Sequence, residues 1–150
     1  MRKVLFISML FVLLSRVLFA QDGLITVKSA HDVKQTADRL EKVLKSKGLT
    51  VFDRIDHAKG AVLVGQKLLP TELIIFGNPA MGTKLMNCQR SVAIDLPLKA
   101  LIWQDKKGQT WLSYNDPQYL YRRHHLKGCE PVIKKMENAL HNLAAAATKP

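Results

Sequence analysis

Hydrophobic and polar positions change period several times along this chain, and each change marks an element. Gly23 to Lys28 reads as a first strand. Ser29 is then the expected N-cap of a helix, with Asp32 three residues on. Val33, Ala37, Leu40 and Leu44 recur at a spacing that gives this helix one apolar face. Lys34, Gln35, Asp38, Arg39, Glu41, Lys42 and Lys45 cover its other faces as a solvated surface, and Gly48 closes it. Leu49 to Ile55 alternates as a second strand. Asp56-His57 lead into Ala58 to Gly65, read as a short helix although its valines also suit a strand, and Leu68-Leu69-Pro70 is a break.

The chain is organised around the stretch that follows, residues 70–86. Leu73 to Phe76 is a short apolar strand running straight into Gly77-Asn78-Pro79. Pro79 has the fixed φ and missing N–H that suit a first helical position, so a helix is expected from about Pro79 to Gln89, with Met81, Leu85 and Cys88 on one face. Val92 to Leu98 comes next, and Pro97, which cannot donate to a ladder, keeps it out of a central strand. Lys99 to Asp105 and Gln109 to Tyr114 form a hairpin around Lys106-Lys107-Gly108. Asn115-Asp116-Pro117 turns into a short helix, Gln118 to Arg123, ahead of His124-His125.

Gly128 breaks the chain and Pro131 opens a last helix, whose buried face is read as Val132, Met136, Ala139, Leu140 and Leu143, with Thr148-Lys149-Pro150 fraying. Strands come in runs, with one early βα alternation. That order predicts an α+β domain with helices packed on one face of a largely antiparallel sheet, and fits a doubly wound parallel fold poorly.

The first twenty residues stand apart. Arg2 and Lys3 precede an apolar run from Val4 to Leu14, and Leu18-Phe19-Ala20 gives way to the polar Gln21-Asp22-Gly23. This is the layout of a secretory signal peptide cleaved after Ala20, and it predicts a secreted or periplasmic protein with no membrane span after cleavage. The rival, an uncleaved anchor, has a short apolar run and places Arg16 inside any longer span. Residues 21–150 then form a single domain, long enough to bury a core without staples. The formal net charge of +11 falls to +8 with the loss of Arg2, Lys3 and Arg16. The remaining positive charges are dispersed, and with export they argue against a nucleic-acid partner. Cys88 and Cys129 are the two cysteines; an oxidising compartment allows an internal bridge, two separate thiols or an intermolecular pair. Neither lies in a Cys-x-x-Cys motif.

Several of these segments together are similar to one family. Pro70 to Pro79, Gly82-Thr83, Leu85-Met86, Ile94 to Lys99, Trp103, Gly108, Trp111, Ser113 to Pro117 and Arg123-His124 resemble the family known as domain of unknown function 302, as do Asp56-His57. The resemblance spans roughly residues 24–143. It implies a curved, mainly antiparallel sheet backed by helices, similar to the TATA-binding-protein-like class, and association as a homodimer. It implies no activity, and both cysteines look like additions of this member.

Candidate chemistry concentrates at few places. The Gly77-Asn78-Pro79 turn offers a helix start to an anion, with Asn78 and Thr83 as hydrogen-bonding side chains and Lys84 as a charge; the plainer reading makes Asn78 a cap. Asp95 lies between Ile94 and Leu96 and needs a partner if buried: His57, Lys99 or His124. An Asp95 cluster with His57 and His124 facing a cleft would suit acid–base work, as in a hydrolase. Trp103, Trp111 and Tyr114 cannot share one face of the hairpin, so some are core, and an exposed one, or Tyr114, could stack a ligand. No metal-ligand spacing or cofactor motif is present. The reading is a non-enzymatic module that binds a small molecule or an envelope protein through Asn78, Thr83, Lys84, Asp95, Tyr114 and His124, with the acid–base enzyme as the alternative.

Overall fold

Val33, Ala37, Leu40 and Leu44 need an apolar surface to cover, and one face of a five-stranded sheet provides it. A computed structural model describes residues 23–150; the leader read over residues 1–20 lies outside them. The elements run β1 (Leu24–Lys28), α1 (Val33–Ser46), β2 (Thr50–Asp56), α2 (His57–Leu63), β3 (Thr71–Gly77) and α3 (Pro79–Cys88). A short 3-10 turn (Arg90–Ile94) follows, then β4 (Leu98–Gln104), β5 (Thr110–Asn115), α4 (Pro117–His124) and α5 (Glu130–Thr148). The sheet order is β1-β5-β4-β3-β2, antiparallel throughout. This is the expected α+β layout with helices on one face.

Alternation divides the strands cleanly. Ile74, Phe76, Ala100, Ile102, Leu112 and Tyr114 point into the core, where they meet α1 and the Ile133, Met136, Leu140 and Leu143 stripe of α5. Leu73, Leu101, Trp103 and Trp111 fall on the other face, and the two indoles stack with centroids 6.4 Å apart. The helix stripe of α5 differs from the expected one: Ala139 is exposed and Val132 only partly buried, while Ile133 is buried. Ile133 shares one row with Met136, Leu140 and Leu143, while Val132 and Ala139 lie on its flank.

Two further expectations are corrected. Asp32, not Ser29, caps α1: its side chain accepts from Gln35 N at 2.7 Å. Ser29 instead bonds the Thr36 hydroxyl at 2.7 Å inside the core. Thr148 does not fray. It is buried, its carbonyl accepts from Ala30 N at 2.9 Å, and Arg39 donates to the Ala147, Ala146 and Lys149 carbonyls at the end of α5. These contacts tie the start of α1 to the end of α5, so the two helices run antiparallel.

Arg54 fastens α1 to the edge of the sheet. From β2 it donates to Glu72 at 2.6 Å, Asp38 at 2.6 Å and Glu41 at 3.3 Å. Burial works against its charge, but the hydrogen bonds to Glu72 and Asp38 outweigh it and hold the guanidinium pKa above its ordinary value. The Asp38 carboxyl is held below its ordinary value by hydrogen bonds from Lys34 and then Arg54; Glu41 is lowered by Lys45 and then Arg54. Depressed carboxyl values mean that the unfolded chain binds more protons in acid. The contribution is therefore complete above the ordinary carboxylate range and is lost as pH falls through the depressed values. Urea unfolding between pH 6 and pH 2 is expected to show this loss, and Arg54→Gln to flatten it.

Cys88, the last residue of α3, bridges Cys129 just before α5, with Cα atoms 6.4 Å apart and a sequence separation of 41. A loop of that length corresponds to about 4 kcal/mol of chain-entropy stabilisation. The unreduced protein should be two hydrogens lighter by mass than the reduced protein, and Cys88→Ser should lower urea stability by up to that amount.

Candidate functional site

Where β3 ends, three local features border a groove. A β-bulge between Val51 and Asp53 leaves Phe52 out of the ladder, half exposed at 51%. Gly77 faces that ring, and a Cβ there would meet Phe52 Cε2 and Pro97 Cβ at ordinary contact, each at 3.7 Å. Asn78 then starts α3, its Oδ1 accepting from Ala80 N at 2.9 Å and Met81 N at 3.2 Å. The result is a cavity of about 740 Å³ between α3, α5 and the sheet end. Its floor is Phe76, Leu85, Met136, Leu140 and Leu143, and Leu96 closes one side. The bridge from Cys88 to Cys129 joins the two helices that form its walls.

The Gly77-Asn78-Pro79 turn is thus at the site, in a different role from an anion loop. The cap already occupies the N–H groups of Ala80 and Met81, and the Thr83 hydroxyl donates to the Pro79 carbonyl at 2.8 Å. Asn78 and Thr83 line the groove with Asn78 Oδ1 and the Thr83 hydroxyl already bonded to the α3 backbone. Lys84 is exposed on α3 but does not line it; the lysines that do are Lys47 and Lys135. Tyr114, read as a stacking residue, is a core side chain whose hydroxyl pKa is raised, first by burial and then by Asp116.

Asp95 and His124 meet, and His57 does not join them. His57 follows Asp56, which pairs with Glu72, whereas Asp95 precedes Leu98, which pairs with Phe76. The four residues from Glu72 to Phe76 correspond to about 13 Å of strand. Asp95 finds its partner on α4. His124 Nε2 lies 2.5 Å from Asp95 Oδ2, and its Nδ1 lies 3.0 Å from the Ser91 hydroxyl. Arg123 Nη1 donates to Asp95 Oδ1 at 3.3 Å and to the Tyr119 hydroxyl at 3.0 Å, its guanidinium lying over the Tyr119 ring. Lys99 donates to the Asp95 and Pro97 carbonyls rather than to the carboxylate.

With its imidazole proton on the Asp95 side, His124 accepts from Ser91. That order is also the one a nucleophilic serine requires. However, none of Ser91, Asp95 and His124 lines the groove, and His124 is buried at the end of α4. The three side chains latch the 3-10 turn to α4. Ser91 carries no local sequence signal for this role, because its partner is 33 residues away.

The other end of the sheet has a smaller groove, of about 410 Å³, beside α2. Its charged lining residues all have partners: Lys59 pairs with Asp56, Glu72 with Arg54 and Lys34 with Asp38, while Asp32 accepts from Gln35 N. Val62 and Leu63 are 71% and 87% exposed there. Among the described residues no cluster of three or more His, Cys, Asp or Glu side chains could hold a metal ion.

The latch makes a direct prediction. His124→Ala leaves the Asp95 carboxylate short of its main partner and should cost about 1–3 kcal/mol in urea unfolding, with Ser91→Ala costing less. A fluorophosphonate probe should leave Ser91 unmodified; an adduct there would restore the acid–base reading.

A family model described as "Domain of unknown function DUF302" matches residues 25–143. Over 104 residues the chain is 51% identical to a protein of Brucella suis biovar 1 (strain 1330) named "Fluoride-specific ion channel FluC 1", covering 69% of this chain and 41% of that protein. It is likewise 51% identical over 104 residues to "Fluoride-specific ion channel FluC 2" of Brucella melitensis biotype 1, covering 38% of it. The chain therefore spans about two fifths of the length of these relatives. A crystal structure of an uncharacterized conserved protein DUF302 from Bacillus stearothermophilus superposes with a TM-score of 0.67 at 22% identity, over 83% of this chain and 94% of that one. That likeness is one of fold.

Proposed function

Because the chain belongs to the DUF302 family, whose description names no activity, we propose a function from the groove itself. The protein is an exported, non-enzymatic module that holds a small apolar ligand between α3, α5 and the end of the sheet. One observation carries this reading: a cavity of about 740 Å³ whose floor is apolar and whose neutral polar lining residues, Asn78 and Thr83, already bond the α3 backbone through Oδ1 and the hydroxyl. Ligand pockets typically measure about 300–1,000 Å³, are mostly apolar and have few polar anchors. The Ser91–His124–Asp95 latch lies off the groove and supplies no chemistry to a molecule bound there.

Export is supported by the leader pattern of residues 1–20 and fits the Cys88–Cys129 bridge, which an oxidising compartment favours. The similarity to proteins named as fluoride channels covers less than half of them, and among the described residues no helix is long and apolar enough to cross a membrane. We take the shared part to be a domain that accompanies the channel, not its ion path. Such a domain works beside a bilayer, where apolar small molecules are at hand.

The test is direct binding. An apolar fluorescent dye such as N-phenyl-1-naphthylamine should bind with one-to-one stoichiometry. Ala139 is exposed on α5 and lines the groove, so Ala139→Trp fills it without touching the core. This variant should lose at least about tenfold in affinity, roughly 1.4 kcal/mol, and keep its urea midpoint. Unchanged binding in Ala139→Trp would place the dye elsewhere.

A further inference from the structure

The groove also has a sign. Its charged lining residues are Lys47 and Lys135, and no aspartate or glutamate lines it. Lys47 follows α1 at its C-terminal end, and Lys135 lies near the start of α5. Because the two helices run antiparallel, these lysines sit at the same end of the molecule. Four lysines off the groove are paired with carboxylates: Lys34 with Asp38, Lys45 with Glu41, Lys59 with Asp56 and Lys134 with Glu137. Among the described residues no carboxylate pairs with Lys47 or Lys135.

Building on the groove as the binding site, we propose that its ligand is a free long-chain carboxylate, with the chain over the apolar floor and the head at Lys47 and Lys135. The floor excludes polar ligands, because burying a hydroxyl or amide without a partner is unfavourable. Asn78 Oδ1 and the Thr83 hydroxyl, the neutral acceptor and donor nearest such a ligand, are turned back onto α3. The cap removes the helix start as an anion anchor, leaving the head group to the lysines. Met81, Met86 and Met136 line the groove with unbranched, polarizable side chains that adapt to a flexible chain. Two partly solvated charge pairs add specificity for the head group and are weakened by salt.

Displacement of the bound dye separates this inference from the groove reading beneath it. Dodecanoate should displace the dye roughly tenfold better than dodecanol, and hexanoate far less well, since each buried methylene is worth about fourfold in affinity. The double variant Lys47→Gln/Lys135→Gln should bring dodecanoate down to the level of dodecanol and leave dodecanol unchanged. Lys134→Gln, which alters a paired lysine off the groove, should change neither. High salt should weaken dodecanoate alone. Equal displacement by dodecanoate and dodecanol, or a carboxylate preference that survives the double variant, overturns the carboxylate assignment while the groove stands. Failure of the dye and of both twelve-carbon compounds to bind overturns the groove reading itself.

Discussion

One face of one sheet must be covered by two helices, and the rest of the molecule follows from how they cover it. Leu40 and Leu44 of α1 and Ile133, Met136 and Leu140 of α5 settle over Ile74, Phe76, Ala100 and Ile102. Removing apolar side chains from water is the dominant favourable term in folding, worth about 1.5–3 kcal/mol for each large residue fully buried. Two helices laid antiparallel, however, leave space where the sheet runs on beyond them. At the end of β3 that space is closed by α3, which reaches it through a proline-led turn and is anchored to α5 by a disulfide. The groove is what remains when two helices and a half-covered sheet end are bridged by a third, shorter helix.

Polar interactions then fix the pieces that the core does not reach. Arg54 on the edge strand holds the α1 surface through Asp38 and Glu41 and is itself held to β3 by Glu72. Arg39 and Ala30 secure the final turn of α5. The Ser91–His124–Asp95 chain secures the 3-10 turn against α4, with Arg123 on the remaining carboxylate oxygen. Each joins elements distant in sequence. Among the described residues no buried side-chain nitrogen or oxygen lacks a partner, as expected where an unmade hydrogen bond costs more than a made one contributes.

The elements that depend on local signals were legible in the sequence. The Val33–Leu44 stripe, the Lys106–Gly108 hairpin turn, and the Asn78-Pro79 start of α3 all follow from spacing or backbone chemistry confined to a few residues. Ser29 and Asp32 both suit an N-cap; Asp32 takes the role, while the Ser29 hydroxyl bonds Thr36 on the buried side of the same helix. The site was half legible: the Asn78–Thr83 stretch does line the groove, and Asp95 does pair with His124. Its other members had no local trace. Phe52 is aimed by a bulge that alternation hides, while Lys47 and Lys135 become neighbours of one cavity only through helix packing. His57 was grouped with Asp95 by residue type, and sheet register separates them.

The placement of the two tryptophans divides the molecule optically. Trp103 and Trp111 stack together on the face away from α1 and α5, with their indole N–H groups on Ser113 and Asp105. The chain contains no other tryptophan, so the protein's indole emission comes entirely from that face. A molecule seated beneath α3 fills the groove without touching an emitter, while anything laid against the bare face of the sheet meets both indoles at once. The unlabelled protein thus reports on the surface its helices leave uncovered and is silent about the cavity they enclose.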